Sequence, residues 1–112
     1  FRSIEEKITL KTLKKNNIVV SLGGGSFLNS NIKKEVLKNH ISFWLKWNIK
    51  TLINRIKNNK KRPIAYKANV NELVEIIKKR SFIYSNAIYK IQCENCTKNE
   101  IVNKILDIYE NH

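Results

Sequence analysis

The three glycines of this 112-residue chain stand side by side, at Gly23, Gly24 and Gly25, directly after an apolar run at residues 18–22. Glycine loses more backbone entropy on folding than any other residue, so a chain that uses it at one place only has a local reason for it. Two reasons are common: a backbone conformation that other residues avoid, or a ligand that lies against the main chain. The apolar run predicts a short buried strand of a parallel sheet, with the glycines at its carboxyl end. Ligands bind outside the carboxyl ends of such strands, which favours the second reason.

Helical and strand-like patterns alternate along the chain, which predicts an α/β fold with a mostly parallel sheet. The last helix has a clear start signal, because Thr97 and Glu100 have the spacing of a capping box. Between residues 58 and 69 the periodicity stops, and this stretch, which contains the only proline, predicts an exposed loop. The predicted helices lie at residues 4–15, from Asn29 or Asn31 to 37, from Asn48 to 56, at 73–80 and from Thr97 to 109, and the further predicted strands at 41–45 and 88–92.

The basic composition favours anionic ligands without singling out one class. Lysine and arginine number 22 against 9 acidic residues, which gives a formal net charge of +13. Only four of these residues are arginine, and the lysines are spread over every segment in runs of two at most. Nucleic-acid-binding proteins usually concentrate their charge on one stripe. We therefore infer a diffuse attraction for anions, and a nucleic-acid-binding module stays as an alternative.

The ends and the hydropathy of the chain bear on its origin. No stretch approaches the roughly 20 apolar residues of a membrane span. No signal peptide is recognisable, so we expect a cytoplasmic protein with no membrane partner. The chain contains no methionine and begins with Phe1 and Arg2. We therefore expect it to be the carboxyl-terminal part of a longer protein.

Cys93 and Cys96 are the only cysteines and form one CxxC motif. A structural zinc site normally has four protein ligands, and His40 and His112 lie too far apart in the sequence to form a second pair. A thioredoxin-like redox site would place the motif at a helix start after a specific strand pattern. We therefore predict two reduced thiols in a loop and no metal site.

Four motifs occur in order along the chain: FRSIEE at residues 1–6, SLGGGS at 21–26, KKRP at 60–63 and RSFIYSNA at 80–87. Each is weak alone, but their order, spacing and surroundings resemble the carboxyl-terminal two-thirds of the shikimate kinases. The resemblance implies one partial kinase domain over residues 1–112. Its fold would be the three-layer α/β/α P-loop fold of the nucleoside-monophosphate-kinase type, with a parallel sheet that is incomplete at the amino terminus. The implied reaction moves the γ-phosphoryl group of ATP, with Mg²⁺, to the 3-hydroxyl of shikimate in chorismate and aromatic amino acid biosynthesis.

The resemblance places shikimate between two arginines and the glycine floor. Arg2 matches an arginine that holds the shikimate carboxylate, because a planar guanidinium forms two parallel hydrogen bonds with a carboxylate. Glu5 matches an acidic residue that braces Arg2, and Arg80 matches a second carboxylate-binding arginine. The glycines match the floor of the site, where a Cβ would push the ring away. On their own, Arg2 and Glu5 also fit a solvated pair at a helix start, and Arg80 a charge near a helix end.

ATP is expected to contact a loop at about residues 58–70, which resembles the lid of the family. Arg62, next to Pro63, matches the lid arginine that closes over the ATP phosphates and offsets charge on the transferring group. Arg55 matches an arginine that stacks on adenine, although an arginine at a helix end also has ordinary explanations. Residues 93–97 fall where the family surrounds adenine, but they diverge and no residue is carried over.

The phosphate-binding loop GxxxxGK[ST] and the acidic motif that orients shikimate and serves Mg²⁺ are expected upstream of Phe1, together with the first strands. No catalytic residue other than Arg62 and no metal ligand is therefore expected in this chain. We expect the chain alone to be inactive and poorly folded, because buried sheet edges would stay unpaired, and the complete protein to be a monomer. The alternatives are another small P-loop kinase, similar to the gluconate kinases, and the nucleic-acid-binding module.

Overall fold

The computed structural model describes residues 2–23, 25–58 and 69–112, the side chain of Arg2 excepted. Within these ranges the structure has five helices, one 3-10 turn and two strands, so one strand of the predicted alternation is missing. The elements in chain order are helix α1 (Arg2–Leu13), a 3-10 turn (Ser26–Leu28), helix α2 (Ser30–Asn39), strand β1 (Phe43–Lys46), helix α3 (Ile49–Lys57), helix α4 (Val70–Tyr84), strand β2 (Tyr89–Gln92) and helix α5 (Lys98–Glu110).

The two helix starts that the sequence marks most clearly are capped by side chains. The Asn29 carboxamide oxygen accepts the backbone N–H groups of Asn31 and Ile32 at 2.9 and 3.1 Å, so Asn29 and not Asn31 caps α2. At α5 the Thr97 hydroxyl accepts the Glu100 N–H at 3.2 Å, and the Glu100 carboxylate accepts the Thr97 N–H at 3.1 Å. The predicted capping box is therefore confirmed, and the first turn of α5 is fixed locally.

Helix α4 is longer than its periodicity predicts. It begins after Asn69, whose side chain accepts the Glu72 N–H at 2.8 Å, and it continues past Arg80 to Tyr84. Arg80 and Tyr84 are therefore one turn apart on the same side of one helix. The predicted loop at residues 58–70 lies mostly outside the described residues.

Strands β1 and β2 pair in parallel, with Phe43 opposite Tyr89 and Lys46 opposite Gln92. The Phe43 and Tyr89 rings stack across the pair with centroids 5.6 Å apart. Both predicted strands are thus confirmed within two residues at each end. Since the strands are parallel, their carboxyl ends meet at one edge, and the residues that follow each strand are neighbours there.

The predicted strand at residues 18–22 is wrong for this structure, which shows no strand over these residues. The side chains still alternate, because Val20 and Leu22 pack against buried residues while Val19 is fully exposed. A strand needs a hydrogen-bonded neighbour, and in the described ranges β1 pairs only with β2. The segment therefore has the side-chain pattern of a strand without the backbone pairing.

The buried side chains form two clusters. The first joins α1, the 3-10 turn and α2 and is made by Leu13, Phe27, Ile32 and Val36. The second joins the sheet to α5 and is made by Ile91, Cys93 and Ile101, with Phe43 and Trp47 packed against it. Helix α4 lies between these regions and buries Leu73 and Ile77. No helix in the described ranges is long and apolar enough to cross a membrane.

Candidate functional site

A groove with a volume of about 450 Å³ opens between β1, α3 and α4. Its aromatic and aliphatic lining includes Trp44, Trp47, Leu52 and Tyr84, and its cationic lining is Arg55 and Arg80. No acidic side chain lines it among the residues that the structure describes. A groove of this composition suits a ligand with a flat or apolar body and a negative charge.

Arg55 reaches the groove from the last turn of α3. Its guanidinium carbon lies 3.9 Å from the centroid of the Trp47 ring, which is a face contact between a cation and an indole. Cation–π contacts of this kind are worth about 0.5–1 kcal/mol at exposed sites. The contact fixes where the guanidinium lies while leaving it exposed to solvent.

Arg80 reaches the same groove from α4, and it is connected through Tyr84 to the glycine segment. The Tyr84 ring lies 6.4 Å from Phe27, which follows Gly25 and Ser26 in the 3-10 turn. On its other side, Tyr84 lies 6.5 Å from the Trp44 ring, another lining residue. Aromatic packing therefore holds the turn after the glycines at the end of α4 that carries Arg80.

The two described glycines do not need glycine for their own backbone. Neither Gly23 nor Gly25 has a positive φ, and Gly25 has φ −104° and ψ −6°. A Cβ on Gly25 would meet no atom within 4 Å, and one on Gly23 would meet only the Ser26 hydroxyl oxygen, at 3.6 Å. The backbone explanation therefore fails for these two positions. Both are exposed to solvent.

Glu94 ties the carboxyl end of β2 to the start of α3. Its carboxylate accepts the Asn48 N–H at 3.0 Å and the Thr51 hydroxyl at 2.6 Å. The Thr51 bond, followed by the Asn48 bond, lowers the pKa of Glu94 below the ordinary glutamate value. The nearby Arg55 charge lowers the pKa further. The helix that carries Arg55 is thus anchored at its amino terminus by a residue from the other strand.

Cys93 and Cys96 are free thiols, as predicted. Cys93 is fully buried, and burial raises the pKa of its thiol. Cys96 lies just before the cap of α5 and accepts a hydrogen bond from the Lys104 ammonium at 3.3 Å. In the described part of the chain no three His, Cys, Asp or Glu side chains are grouped to hold a metal ion.

The other predicted site residues either do not line the groove or lie outside the described residues. Glu5 is exposed in the first turn of α1. The side chain of Arg2 lies outside what the structure describes, as do Gly24 and Arg62. The structure therefore brings together Arg55 and Arg80, which the resemblance assigns to the two different substrates.

Sequence reasoning missed the tryptophans that form the walls of the groove. Trp44 and Trp47 are the only tryptophans of the chain and stand three residues apart at the end of β1. That spacing at the carboxyl end of a predicted parallel strand is a usable signal, because ligands bind at that edge. Their contact with Arg55 depends on the path of α3 and could not be read from the sequence.

A parallel strand pair with helical connections and a cationic groove beside it defines an α/β protein that is suited to an anionic ligand. Comparison with known proteins makes this class specific. The family model described as shikimate kinase matches residues 1–110. The chain therefore belongs to the shikimate kinase family, which confirms both the resemblance and the predicted P-loop kinase fold.

Individual relatives agree with the family match. The chain is 37% identical over 115 positions to the shikimate kinase of Flavobacterium johnsoniae, covering 96% of this chain and 67% of the relative. It is 34% identical over 106 positions to that of Persephonella marina (95% and 64%) and 29% identical over 113 positions to that of Bartonella quintana (100% and 54%). The chain thus spans about half to two-thirds of the length of these curated relatives. No solved structure gave a significant match.

Proposed function

We propose that this chain is the carboxyl-terminal part of a shikimate kinase, which transfers the γ-phosphoryl group of ATP to the 3-hydroxyl of shikimate. The observation that carries the proposal is that Arg55 and Arg80, from different helices, line one groove. The family match over residues 1–110 supports the same reading independently. A kinase of two small substrates needs both substrates close together, and this groove has one arginine proposed to contact each of them.

On the shikimate side, Arg80 would bind the carboxylate through two parallel hydrogen bonds. Gly23, Gly24 and Gly25 would give the ring a flat floor, and the open space around Gly25 supports this role. Arg2 would bind the carboxylate from the other side with Glu5 as its brace.

On the ATP side, Arg55 would stack on adenine, and Arg62 would close over the phosphates from the loop at residues 58–70. A cation placed there stabilises charge that develops on the transferring group. The described residues do not fit a magnesium site, because they contain no suitable group of acidic side chains. The phosphate-binding loop and the Mg²⁺ ligands would therefore belong to the part of the relatives that this chain does not cover. We further propose a monomeric, cytoplasmic enzyme that acts on no nucleic acid.

The proposal can be tested with a chimera in which this chain replaces the aligned part of the Flavobacterium johnsoniae relative. We expect shikimate-dependent ADP release from the chimera and none from the 112-residue chain alone. In the chimera, Arg80→Lys should lower kcat/KM for shikimate by about 50-fold, because lysine keeps the charge but loses the two-pronged geometry.

The matched control is Lys79→Arg, which replaces the exposed lysine next to Arg80 by arginine, the reverse of the test substitution. It should leave kcat/KM for shikimate within twofold of the wild type. Turnover with gluconate in place of shikimate would support the gluconate-kinase alternative and contradict the proposal. Tight, salt-sensitive RNA or DNA binding that survives Arg80→Lys, with no turnover, would support the nucleic-acid-binding alternative.

A further inference from the structure

Trp47 lies between a strand, a helix and the groove, and the sequence predicted no role for it. It lies between β1 and α3 and packs against the cluster of Ile91, Cys93 and Ile101. The Arg55 guanidinium lies over the face of its ring, with the guanidinium carbon 3.9 Å from the ring centroid. The indole is thus partly buried against this cluster and contacts a cation at the rim of the groove.

Arg55 is held by this ring contact and by no ion pair among the described residues. The carboxylate that influences it, Glu94, is already bonded to the Asn48 N–H and the Thr51 hydroxyl. A guanidinium is planar and has two equivalent faces, so one face on the indole leaves the opposite face open. Arg55 is exposed, which agrees with an open outer face.

We propose that Trp47 is a positioning residue, which holds the Arg55 guanidinium flat so that its outer face stacks on the purine base of ATP. This inference rests on the proposed function for the identity of the ligand. The stack would run from the indole through the guanidinium to the purine, with a cation between two π faces. A lysine at position 55 could not serve, since its ammonium is a point charge without a face. The cationic lining of the groove would favour the phosphates next to the base.

The test is ATP binding to the chimera, followed by saturation-transfer NMR on the H2 and H8 protons of the adenine base. We expect the base protons to receive more saturation than the ribose protons. Trp47→Leu should weaken ATP binding about three- to fivefold, as expected for loss of a cation–π stack, and reduce saturation of the base selectively. Trp47→Phe should restore most of both, because phenylalanine keeps a smaller aromatic face.

Phe82→Leu is the matched control, since it removes an aromatic ring of α4 that is 79% exposed and does not line the groove. It should change neither affinity nor base saturation. Circular dichroism of each variant tests folding, and Arg55→Lys gives a second route to the same loss if Trp47→Leu does not fold.

Three results would overturn the inference. The first is equal ATP binding by the wild type and Trp47→Leu, and the second is tripolyphosphate competing with ATP while the base protons receive no saturation. The third is ATP binding by Arg55→Lys that is as tight as that of the wild type. None of these results decides the proposed function, which depends on phosphoryl transfer by the chimera.

Discussion

Two apolar segments of similar length have different structures in this molecule. Strand β1 (Phe43–Lys46) is hydrogen-bonded along its length to β2, and the following Trp47 packs into the cluster of Ile91, Cys93 and Ile101. Residues 18–22 are at least as apolar, yet they form no strand and leave Val19 fully exposed. Hydrophobicity therefore brings both segments to a core, but only a pairing partner makes one of them a strand.

This difference in strand pairing also distinguishes two parts of the candidate site. The paired region contributes Trp44 and Trp47 from the edge of β1, and their positions follow from the register of the sheet. The unpaired region contributes Gly23 and Gly25, whose neighbours Leu22 and Phe27 pack into the first cluster without any sheet pairing in the described ranges. We therefore expect the ATP side of the groove to be preorganised more firmly than the shikimate side.

The largest expected effect is a difference between two substitutions of β-branched residues by alanine. Ile91→Ala, at a position 2% exposed, should lower the free energy of unfolding by about 2–5 kcal/mol through a cavity in the cluster. Val19→Ala should change it by less than about 0.5 kcal/mol, because the fully exposed side chain buries no area.

Amide hydrogen exchange measures this difference locally, even if the chain alone unfolds without a sharp transition, as we expect. The Tyr89 and Cys93 amides, bonded to Ser42 and Lys46, should lose protection in Ile91→Ala and keep it in Val19→Ala. An equal loss in both variants would show that residues 18–22 are packed in solution, and the comparison between the segments would then fail.

A second effect should depend on pH and belongs to the paired region. The hydrogen bonds from Thr51 and Asn48 lower the pKa of Glu94 in the folded chain. Stabilisation by Glu94 should therefore be complete above the unfolded pKa of about 4.3, and be lost as the pH falls through the lower folded pKa. In the chimera, Glu94→Gln should lower Tm at pH 7, and the difference in Tm from the wild type should shrink as the pH falls through the lowered folded pKa of Glu94.

The matched control for this prediction is Glu75→Gln, on the exposed surface of α4. A thermal melt series from pH 3 to 7 should show the same pH dependence for Glu75→Gln as for the wild type. If Glu94→Gln also follows the wild type at every pH, the contact between Glu94 and α3 does not stabilise the fold.

An effect on stability much smaller than that of Ile91→Ala is expected at Gly25, in the unpaired region. Gly25→Ala should leave the free energy of unfolding unchanged or raise it by up to about 1 kcal/mol, because its backbone angles suit alanine and its Cβ would meet nothing. In the chimera the same substitution should raise KM for shikimate. If denaturant unfolding shows a loss of stability for Gly25→Ala and KM for shikimate is unchanged, Gly25 has a purely structural role.

Local signals in the sequence predicted much of this fold. The capping box at Thr97 depends on residues within one turn, so its spacing was sufficient, whereas the sequence left the cap of α2 open between Asn29 and Asn31. The absence of a strand at residues 18–22 could not be predicted, because pairing is a property of distant segments. For the site, Arg55 and Arg80 were predicted through a resemblance. Trp47 and Glu94 were not predicted, because they act through contacts between different elements, which the sequence does not show.

The contact of Glu94 with Asn48 and Thr51 has a consequence for how the chain folds. The first turn of α3 is completed by a side chain that lies more than 40 positions further along the chain. Such a non-local contact can form only after a long loop closes, which makes it late and slow compared with the caps of α2 and α5. During synthesis α3 would leave the ribosome before this contact can form, and a chain that stopped before residue 94 would never make it.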